Sequence, residues 1–552
     1  MADNARQMSL RTGPTASPAA AAPGSIRDAL RHPMFRSLWL ASGIYFMANA
    51  MHGMAASWLM VELTGSSFLA ALVQTAVFLP MFVLALPAGV LADTTDRRRL
   101  LLMALGLQAL AAAVLAVLLL AGQAGPGTLL VFTAIMGCCT AMMTPAWNSA
   151  VGEILPREEL PQAIIAMSIA YNGARALGPA LAGLVFGLAS AAAGVLAGGG
   201  AVFALAIAGT LVLAQAIRRH PPRPHPPSKL PPERLWGGTL AGLRYAWHSE
   251  TILAQLVRTA AYSAAGSALW ALLPVIGQQR LGLGAAGFGL LMACLGTGAV
   301  AAGLMLGRLR QRLGLERLVR WCCLVFAAVM AVAALSRWAL PVYLALVAGG
   351  GAWMSVMSTF NTATQTSAPP WVRSRATAMH VLSALGAFAL GSAFWGAVAG
   401  LAGLQSALVA AAALMLGNLL LARRFPLRMG ELQEVTQAPF EDLLMTDEPS
   451  PASGPVAVEL SYRIRPEEAD AFLALAIQLK APRQRDGATF WRIYRDLDDA
   501  SRYVERFIVT NWAAYLHQRA RATVADQTIE ARLRAMVVPG ETVVMQHYIA
   551  ER

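Results

Sequence analysis

Long apolar stretches repeat along most of this chain, and each is followed by a short polar connection. An α-helix needs about 20 apolar residues to cross the hydrocarbon core of a membrane. The pattern therefore predicts an all-α polytopic membrane protein with twelve spans. The predicted spans are residues 38–62, 67–92, 98–121, 127–151, 161–189, 192–217, 252–278, 285–307, 317–336, 340–366, 374–401 and 404–424.

The polar segments divide the rest of the chain. Residues 1–36 predict a disordered start and a short amphipathic helix lying on the inner membrane face. Residues 218–250 are Pro-rich and basic, and they predict a cytoplasmic linker between a first six-helix half (37–217) and a second (251–425). Residues 426–454 are acidic and predict a second linker.

Residues 455–552 differ in composition and predict a soluble domain on the cytoplasmic side. Their hydrophobic pattern changes between strand-like alternation and helical spacing in the order βαββαβ. That order predicts a ferredoxin-like α+β domain. The predicted strands are residues 456–463, 489–495, 503–510 and 542–548, and the predicted helices are residues 466–480 and 512–534.

The composition supports a membrane location. Of the 552 residues 57% are hydrophobic and only 13% are charged, whereas soluble domains carry about 25% charged residues. The formal net charge of +13 does not point to nucleic acid, because the arginines gather in alternate connections. Basic residues mark cytoplasmic connections, so we expect a cytoplasmic (inner) membrane protein with both termini in the cytoplasm. The five cysteines lie in apolar stretches without CxxC spacing, and no metal site is predicted.

The connection between the second and third spans is densely charged and reads GVLADTTDRRR from Gly89 to Arg99. Gly89 permits close approach of two helix backbones. Asp93 lies where a helix ends, and its carboxylate can accept from backbone N–H groups or pair with Arg97 or Arg98. Contacts of this kind can form in one conformation and break in another, which suits a gate. The alternative is a topology anchor with a capping Asp.

This connection resembles the loop between helices 2 and 3 of the major facilitator superfamily. Asp96 stands where most of that superfamily has Gly, and in this it is similar to the transmembrane secretion effector, or enterobactin-exporter, branch. Residues 485–488, Trp491 and Trp512 resemble the extra C-terminal domain of that branch. The resemblance implies a twelve-helix fold of two halves, alternating access, and export of a siderophore, secondary metabolite or drug by proton antiport.

The two halves repeat each other. Asn148 and Pro156 close the fourth span as Asn361 and Pro369 close the tenth, with the same spacing. Parallel repeats of this kind relate the two halves of the superfamily. In the fifth span, a further pattern resembles the antiporter motif of helix five. It consists of Gly178, Pro179 and Gly183 and implies close packing with a kink.

Arg175 lies near the middle of the fifth span, where a charge needs a water-filled cavity or a partner. It can bind an anionic substrate or serve in a structural polar network. Proton coupling requires a titratable group, and His52, Glu62 and Asp93 supply candidates, although a glutamate at the end of a span is often a boundary residue. Polar groups that could line the cavity, or only hydrogen-bond between helices, are Asn49, Asn148, Asn172, Asn361 and Gln365.

We therefore predict a transporter without catalytic residues or cofactor, coupled to the proton gradient. Its expected partners are a small-molecule substrate and the lipid bilayer, with partner docking or self-association through the C-terminal domain. Two alternatives remain open. One is an importer of the same fold, and the other is a membrane-tethered enzyme or sensor acting through residues 455–552. Trp491, Trp512, His517 and Arg519 suggest such an enzyme, although tryptophans in a small sheet are usually core residues.

Overall fold

Twelve long helices form the larger part of the molecule. The computed structural model describes residues 30–154, 160–219, 235–438 and 449–550. Within these ranges the long helices are α1 (Pro33–Thr64), α2 (Ser67–Thr94), α3 (Arg97–Leu120), α4 (Pro126–Ile154), α5 (Leu160–Ala193), α6 (Val195–Arg219), α8 (Glu250–Val275), α9 (Ala285–Leu313), α10 (Leu315–Leu335), α11 (Ala339–Ser367), α12 (Arg373–Ala402) and α13 (Leu404–Arg424). A short helix, α7 (Leu235–His248), precedes α8.

This architecture confirms the predicted helical membrane fold. Among the described residues, eleven of the long helices are apolar enough to cross a membrane by length and composition. The twelfth, α1, has 32 residues and packs against α5 and α6. Most of the predicted N-terminal region over residues 1–36 lies outside the described residues, as do parts of both predicted linkers.

Short capped turns separate the helices. Gly65 ends α1 with a φ of 61°, a left-handed conformation that glycine adopts without strain. Ser66 then caps α2 by accepting a hydrogen bond from the Leu69 amide. Asp96 caps α3, because its Oδ1 accepts from the backbone N–H of Arg99 at 2.9 Å. Asp96, which stands where most of the superfamily has glycine, is therefore a helix cap in the structure.

The bundle has two ends, which we name by their residues. The basic face carries Arg97–Arg99 at the start of α3, Arg218 and Arg219 at the end of α6, and the soluble domain beyond α13. The opposite face carries the turns at Gly65, between α1 and α2, and Gly403, between α12 and α13.

Helices α1–α6 form one half and α8–α13 the other, and the halves meet along two helix pairs. Helix α2 packs along α12, and α5 packs along α9. A Cβ atom placed on Gly183 of α5 would lie 2.6 Å from the Ala285 carbonyl oxygen and 3.0 Å from the Gly289 Cα of α9. Only small residues allow such an approach of two backbones.

The C-terminal part forms a four-stranded antiparallel sheet in the order β2-β3-β1-β4, which confirms the predicted ferredoxin-like unit. Its elements are β1 (Val456–Arg463), α15 (Ala469–Ala476), α16 (Lys480–Asp486), β2 (Phe490–Arg495), β3 (Arg502–Val509), α17 (Trp512–Arg521), α18 (Val524–Ala535) and β4 (Val544–Ile549). A single turn of helix, α14 (Leu432–Val435), precedes it. The helix predicted over residues 512–534 is two helices, because Thr523 and Asp526 form a capping box that starts α18.

Candidate substrate cavity

The space between the halves is closed at the opposite face. The indole of Trp58 on α1 stacks on the ring of Phe288 on α9 at 5.4 Å between centroids. Gln279 donates a hydrogen bond from Nε2 to the Gly65 carbonyl oxygen at 2.7 Å. The cluster formed by Val61, Ala70 and Val275, all of which are buried, seals the same level. These contacts join residues of both halves.

Contacts between the halves continue to the middle of the bundle. Thr75 on α2 donates from Oγ1 to the Ala389 carbonyl oxygen on α12 at 2.9 Å. The rings of Phe78 and Phe388, on the same two helices, lie 4.8 Å apart. Every contact between the halves described so far lies between the middle of the bundle and the opposite face. Among the described residues, these contacts hold the halves together from the middle of the bundle to the opposite face, as in a transporter that opens at the basic face.

A continuous series of ring contacts with one arginine crosses the bundle at this middle level, and we call it the arginine–aromatic chain. Its rings come from six helices of both halves. In order it runs Phe46–Tyr171 (5.2 Å), Tyr171–Arg175 (5.8 Å), Arg175–Trp270 (5.5 Å), Trp270–Trp353 (6.0 Å), Trp353–Phe388 (5.9 Å) and Phe388–Phe78 (4.8 Å).

Arg175 supplies the positive charge of this chain. Its guanidinium reaches from α5 in the first half to Trp270 on α8 in the second, and its side chain is solvent-exposed. Within the described part of the chain, Arg175 has no carboxylate partner. Two cation–π contacts at about 0.5–2 kcal/mol each compensate only part of the cost of a charge at this depth. The geometry therefore favours an open, hydrated cavity that an anionic group can enter.

Two predicted polar residues lie on the helix that carries Trp353. Asn361 and Gln365 follow Trp353 at helical spacing on α11, and Gln365 donates from Nε2 to the Asn361 Oδ1 at 3.1 Å. Asn361 is partly buried and Gln365 is exposed. Asn361 and Gln365 are four residues apart, so their side chains are neighbours on the surface of α11. Asn361 follows Trp353 by eight residues, so the two amides lie between Trp353 and the basic face along α11.

The other predicted polar residues are more dispersed. Asn49 is partly buried on α1, and Asn172 donates to the Ser168 carbonyl oxygen one turn earlier in α5 at 2.9 Å. His52 is buried against the Phe203 ring of α6 at 4.8 Å, and the described residues offer neither ring nitrogen a hydrogen-bond partner. Glu62 is exposed at the end of α1. Their roles in substrate binding or proton coupling remain predictions.

The helix-five motif lies in contact regions. Gly178 packs against Met47 and Ala50 of α1, where an added Cβ would lie 2.8 Å from the Ala50 methyl carbon. Pro179 is buried within α5, and its carbonyl oxygen lies close to Gly289 of α9. Together with Gly183, these residues allow α5 to touch helices of both halves. These contacts are close, as small residues allow, and the role of the motif in transport remains a prediction.

The predicted gate is only partly described. Gly89 lies in the penultimate turn of α2, Asp93 in its last turn and Asn148 in α4, but the surroundings of these three residues are outside the described set. Arg98 of α3 donates from Nη2 to the Arg218 carbonyl oxygen at the end of α6 at 2.6 Å. Arg97 begins α3 beside the Asp96 cap. The roles of Gly89, Asp93, Arg97 and Arg98 in gating remain predictions.

The sequence interpretation missed a buried ion pair in the second half. Arg258 on α8 is 2% exposed and donates to the Glu316 carboxylate of α10 at 2.6 Å. The same carboxylate accepts from the Leu427 backbone N–H at 3.1 Å. An arginine inside the seventh predicted span was the available signal, but its partner starts the ninth span, and only the tertiary structure brings them together.

A second hollow, of about 530 Å³, opens between α1, α5 and α6. Its lining includes Leu40, Ile44, Met47, Ile169, Leu205 and Val212, and several of these side chains are exposed on the outside of the bundle. An uncharged groove of this kind cannot select a substrate by charge. The arginine–aromatic chain is therefore the better candidate for substrate recognition.

The fold of two six-helix halves is that of a transporter of the major facilitator type. The chain belongs to the transmembrane secretion effector family, whose family model matches residues 25–552. This membership confirms the resemblance seen in the charged loop and the C-terminal domain. The protein is a multi-pass membrane protein.

Relatives and solved structures agree with this assignment. The multidrug efflux pump Tap of Mycobacterium tuberculosis is 29% identical over 438 residues, covering 76% of this chain and 98% of that protein. A bacterial homologue of the human lysosomal transporter Spinster, inward-facing and occupied, has a TM-score of 0.55 at 18% identity, covering 72% of this chain and 97% of that one. A bacterial homologue of the iron transporter ferroportin, inward-facing, has a TM-score of 0.56 at 15% identity, covering 71% and 98%. The two structural likenesses show the fold alone.

Proposed function

We propose that this protein exports a small amphipathic or anionic molecule across the cytoplasmic membrane by alternating access. The observation that carries the proposal is the exposed Arg175 in a cavity closed at the opposite face. The arginines of the basic face support a cytoplasmic location for that end. A substrate would then enter from the cytoplasm and meet a positive charge between aromatic rings.

The direction of transport is supported by the relative with an efflux activity in its name, the multidrug efflux pump Tap. We propose proton antiport as the energy source. The candidate proton carriers are the gate residue Asp93, the exposed Glu62 and the buried His52. Of these, His52 lies in an apolar environment next to Phe203, where a charge would be costly.

The alternative of an enzyme or sensor acting through residues 455–552 has less support. Trp491 donates from Nε1 to the buried Glu505 at 2.9 Å, and Arg483 binds the same carboxylate at 3.0 Å. Trp512 is buried in the core of the domain. Trp491, Arg483 and Glu505 satisfy one another, whereas the Trp512 indole N–H has no acceptor among the described residues. The position of these side chains in the core of the domain favours an accessory role.

The test compares metabolites in cells and medium of a deletion strain complemented with the wild-type chain, with Arg175→Gln or with Arg337→Gln. Arg337 is exposed on the opposite face and serves as the matched control. A compound that stays inside the deletion strain and reaches the medium with wild type and Arg337→Gln would establish export. A compound left unconsumed in the medium of the deletion strain would instead establish import. Equal profiles in all strains would reject transport as the function.

A further inference from the structure

The soluble domain docks on the membrane part through stacked arginines and aromatic rings. Arg485 at the end of α16 lies over the Tyr245 ring of α7 at 5.7 Å. Arg521 at the end of α17 lies over the ring of Trp371 at 4.5 Å. Trp371 belongs to the connection between α11 and α12. The two rings contact each other edge to face at 5.5 Å. Each ring of this pair is thus covered by one arginine of the soluble domain.

Asp486 ties the two arginines together. Arg485 donates from Nε and Nη2 to the two oxygens of the Asp486 carboxylate at 2.9 Å each. Arg521 donates from Nη1 to the Asp486 backbone carbonyl oxygen at 3.0 Å. We call Tyr245, Trp371, Arg485, Asp486 and Arg521 the clamp.

The clamp is largely withdrawn from water. Tyr245 is 3% exposed, Asp486 is 2% exposed and Arg521 is 8% exposed. Cation–π contacts that are desolvated are worth about 2 kcal/mol, against about 0.5–1 kcal/mol at exposed sites. Domains that share only small polar interfaces move relative to each other by default. Two largely buried cation–π contacts, linked through the carboxylate and the backbone carbonyl of Asp486, restrict that motion.

A second attachment holds the same domain. The segment after α14 pairs with the turn between α17 and α18, where the Ala438 N–H donates to the Ala522 carbonyl oxygen at 2.9 Å. The Val524 N–H donates to the Thr436 carbonyl oxygen at 3.0 Å. Upstream, the Gly430 N–H donates to Ser367 Oγ at the end of α11 at 2.8 Å. The domain is therefore fixed to the second half at two places.

The elements held by the clamp are parts that alternating access has to move. Helix α7 lies in the connection between the halves and leads directly into α8. Trp371 lies in the connection that leads into α12, which packs along α2 of the first half. Closing the basic face requires the halves to approach each other there. We expect closing to shift α7 against the start of α12, so a domain that ties both connections together adds to the free energy of that step.

We propose that the C-terminal domain is a conformational brake, which holds the transporter open at the basic face through the clamp. The effect on transport rests on the proposed function, but docking and conformation can be measured without any substrate. Releasing the domain is expected to speed the closing of the basic face and to raise the transport rate.

The experiment uses the full chain in lipid nanodiscs with Tyr245→Ala and Trp371→Ala, which leave the soluble domain itself unchanged. Trp338→Ala is the matched control, because Trp338 is 78% exposed at the opposite face. Hydrogen exchange is followed in residues 480–487 and 512–524. We expect exchange in these residues to rise about tenfold in both variants, since about 1.4 kcal/mol of lost docking free energy corresponds to that factor. Unchanged exchange would overturn the clamp.

The effect of the brake is measured as the distance between two spin labels, one at position 99 of α3 and one at position 311 of α9. Arg99 and Gln311 are both exposed near the basic face. The five native cysteines of the chain are replaced by alanine. One dominant distance is expected in the parent chain and a second, shorter one in Trp371→Ala. A released domain with an unchanged distance distribution would overturn the brake while leaving the docking intact as a finding. If the parent chain transports nothing, the proposed function fails, but these two measurements still decide the inference.

Discussion

The guanidinium carbon of Arg175 lies 5.5 Å from the centroid of the Trp270 ring. This contact joins α5 of the first half to α8 of the second at the level where the closed part of the bundle ends. A group that binds there touches both halves at once. Alternating access requires a binding site between the two halves, because the halves rock against each other around that site and open it to one side of the membrane at a time.

Replacing Arg175 by glutamine should reduce transport of an anionic substrate about 10- to 100-fold. Hydrogen bonds to a charged group contribute about 1.5–3 kcal/mol, which corresponds to that range. The measurement is the initial rate of uptake into everted membrane vesicles, normalised to protein level. Arg175→Lys keeps the positive charge but loses the planar guanidinium group, so we expect a transport rate between those of the wild type and the Gln variant. A Gln variant as fast as Arg337→Gln would contradict the role of Arg175.

Replacing Asp93 by asparagine should impair transport without reducing membrane insertion, because topology depends on the arginines. This prediction comes from the charged loop of the sequence, where Asp93 precedes Arg97 and Arg98. Insertion is read from the amount of protein in the membrane fraction, and transport from the same vesicles. Asp96→Asn is the matched control, since asparagine also caps helices well. Transport at the wild-type rate by the Asp93→Asn variant would contradict the gating role of Asp93.

Replacing Gly183 by alanine should destabilise the closed opposite face. The added carbon would lie 2.6 Å from the Ala285 carbonyl oxygen, so the backbones of α5 and α9 must separate. Overpacking of this kind costs about 1–3 kcal/mol. Gly303→Ala is the control, because a Cβ atom there has open space around it. The thermal midpoint should fall in the first variant and stay or rise in the second; equal midpoints would argue against this contact.

Replacing Arg258 by methionine should destabilise the second half by about 1.5–3 kcal/mol, because the Glu316 carboxylate loses its charge-assisted hydrogen bond to the buried arginine. The matched control is Arg320→Ala. Arg320 pairs with the same carboxylate at 3.4 Å but is 54% exposed, and such pairs are worth about 0.3–0.5 kcal/mol. Denaturant midpoints of the purified proteins measure both. Similar losses for the two variants would show that burial does not set the strength of this pair.

The contribution of Asp486 to the stability of the soluble domain should rise as the pH falls through 6 toward 4, against an opposite contribution of His547, whose pKa is lowered by burial and by Arg519. Burial raises the pKa of Asp486 from 3.8 to about 6, although Arg485 acts in the opposite direction. The folded domain therefore takes up a proton that the unfolded chain does not, and protonation favours the folded state. The limit of the gain is on the order of 3 kcal/mol. Pulse proteolysis in urea on the full chain at about pH 5 and about pH 7.5 measures it.

Asp486→Asn supplies the control for this pH dependence. Asparagine is neutral at every pH, so the difference in the stability of the soluble domain between about pH 5 and about pH 7.5 should largely disappear. Asp499→Asn leaves Asp486 in place and should retain the difference in stability, because Asp499 is a partly exposed residue whose pKa is lowered to about 2 by the Ser501 hydroxyl and by Arg463. A difference that persists in Asp486→Asn would assign the effect to another group.

The sequence by itself determined the helical membrane fold, the number of long helices and the ferredoxin-like domain. Membrane thickness sets the length of an apolar stretch, so spans are visible without any knowledge of packing. In the soluble domain, alternation along β1 has the period of a strand with one buried face, and its predicted bounds of residues 456–463 agree with the structure. Arg175 was also visible, because a charge within an apolar span is rare.

Only the tertiary structure decided which polar side chains of the spans share one space. A membrane helix is apolar on its lipid side and on its packed side, so hydrophobic periodicity does not report its rotation. The rotation of α5 and α8 brings Arg175 to Trp270, whereas that of α1 buries His52 against Phe203. The clamp between Arg521 and Trp371 joins residues far apart in sequence. Contacts of that kind depend on how separately folded parts meet, and no local pattern encodes them.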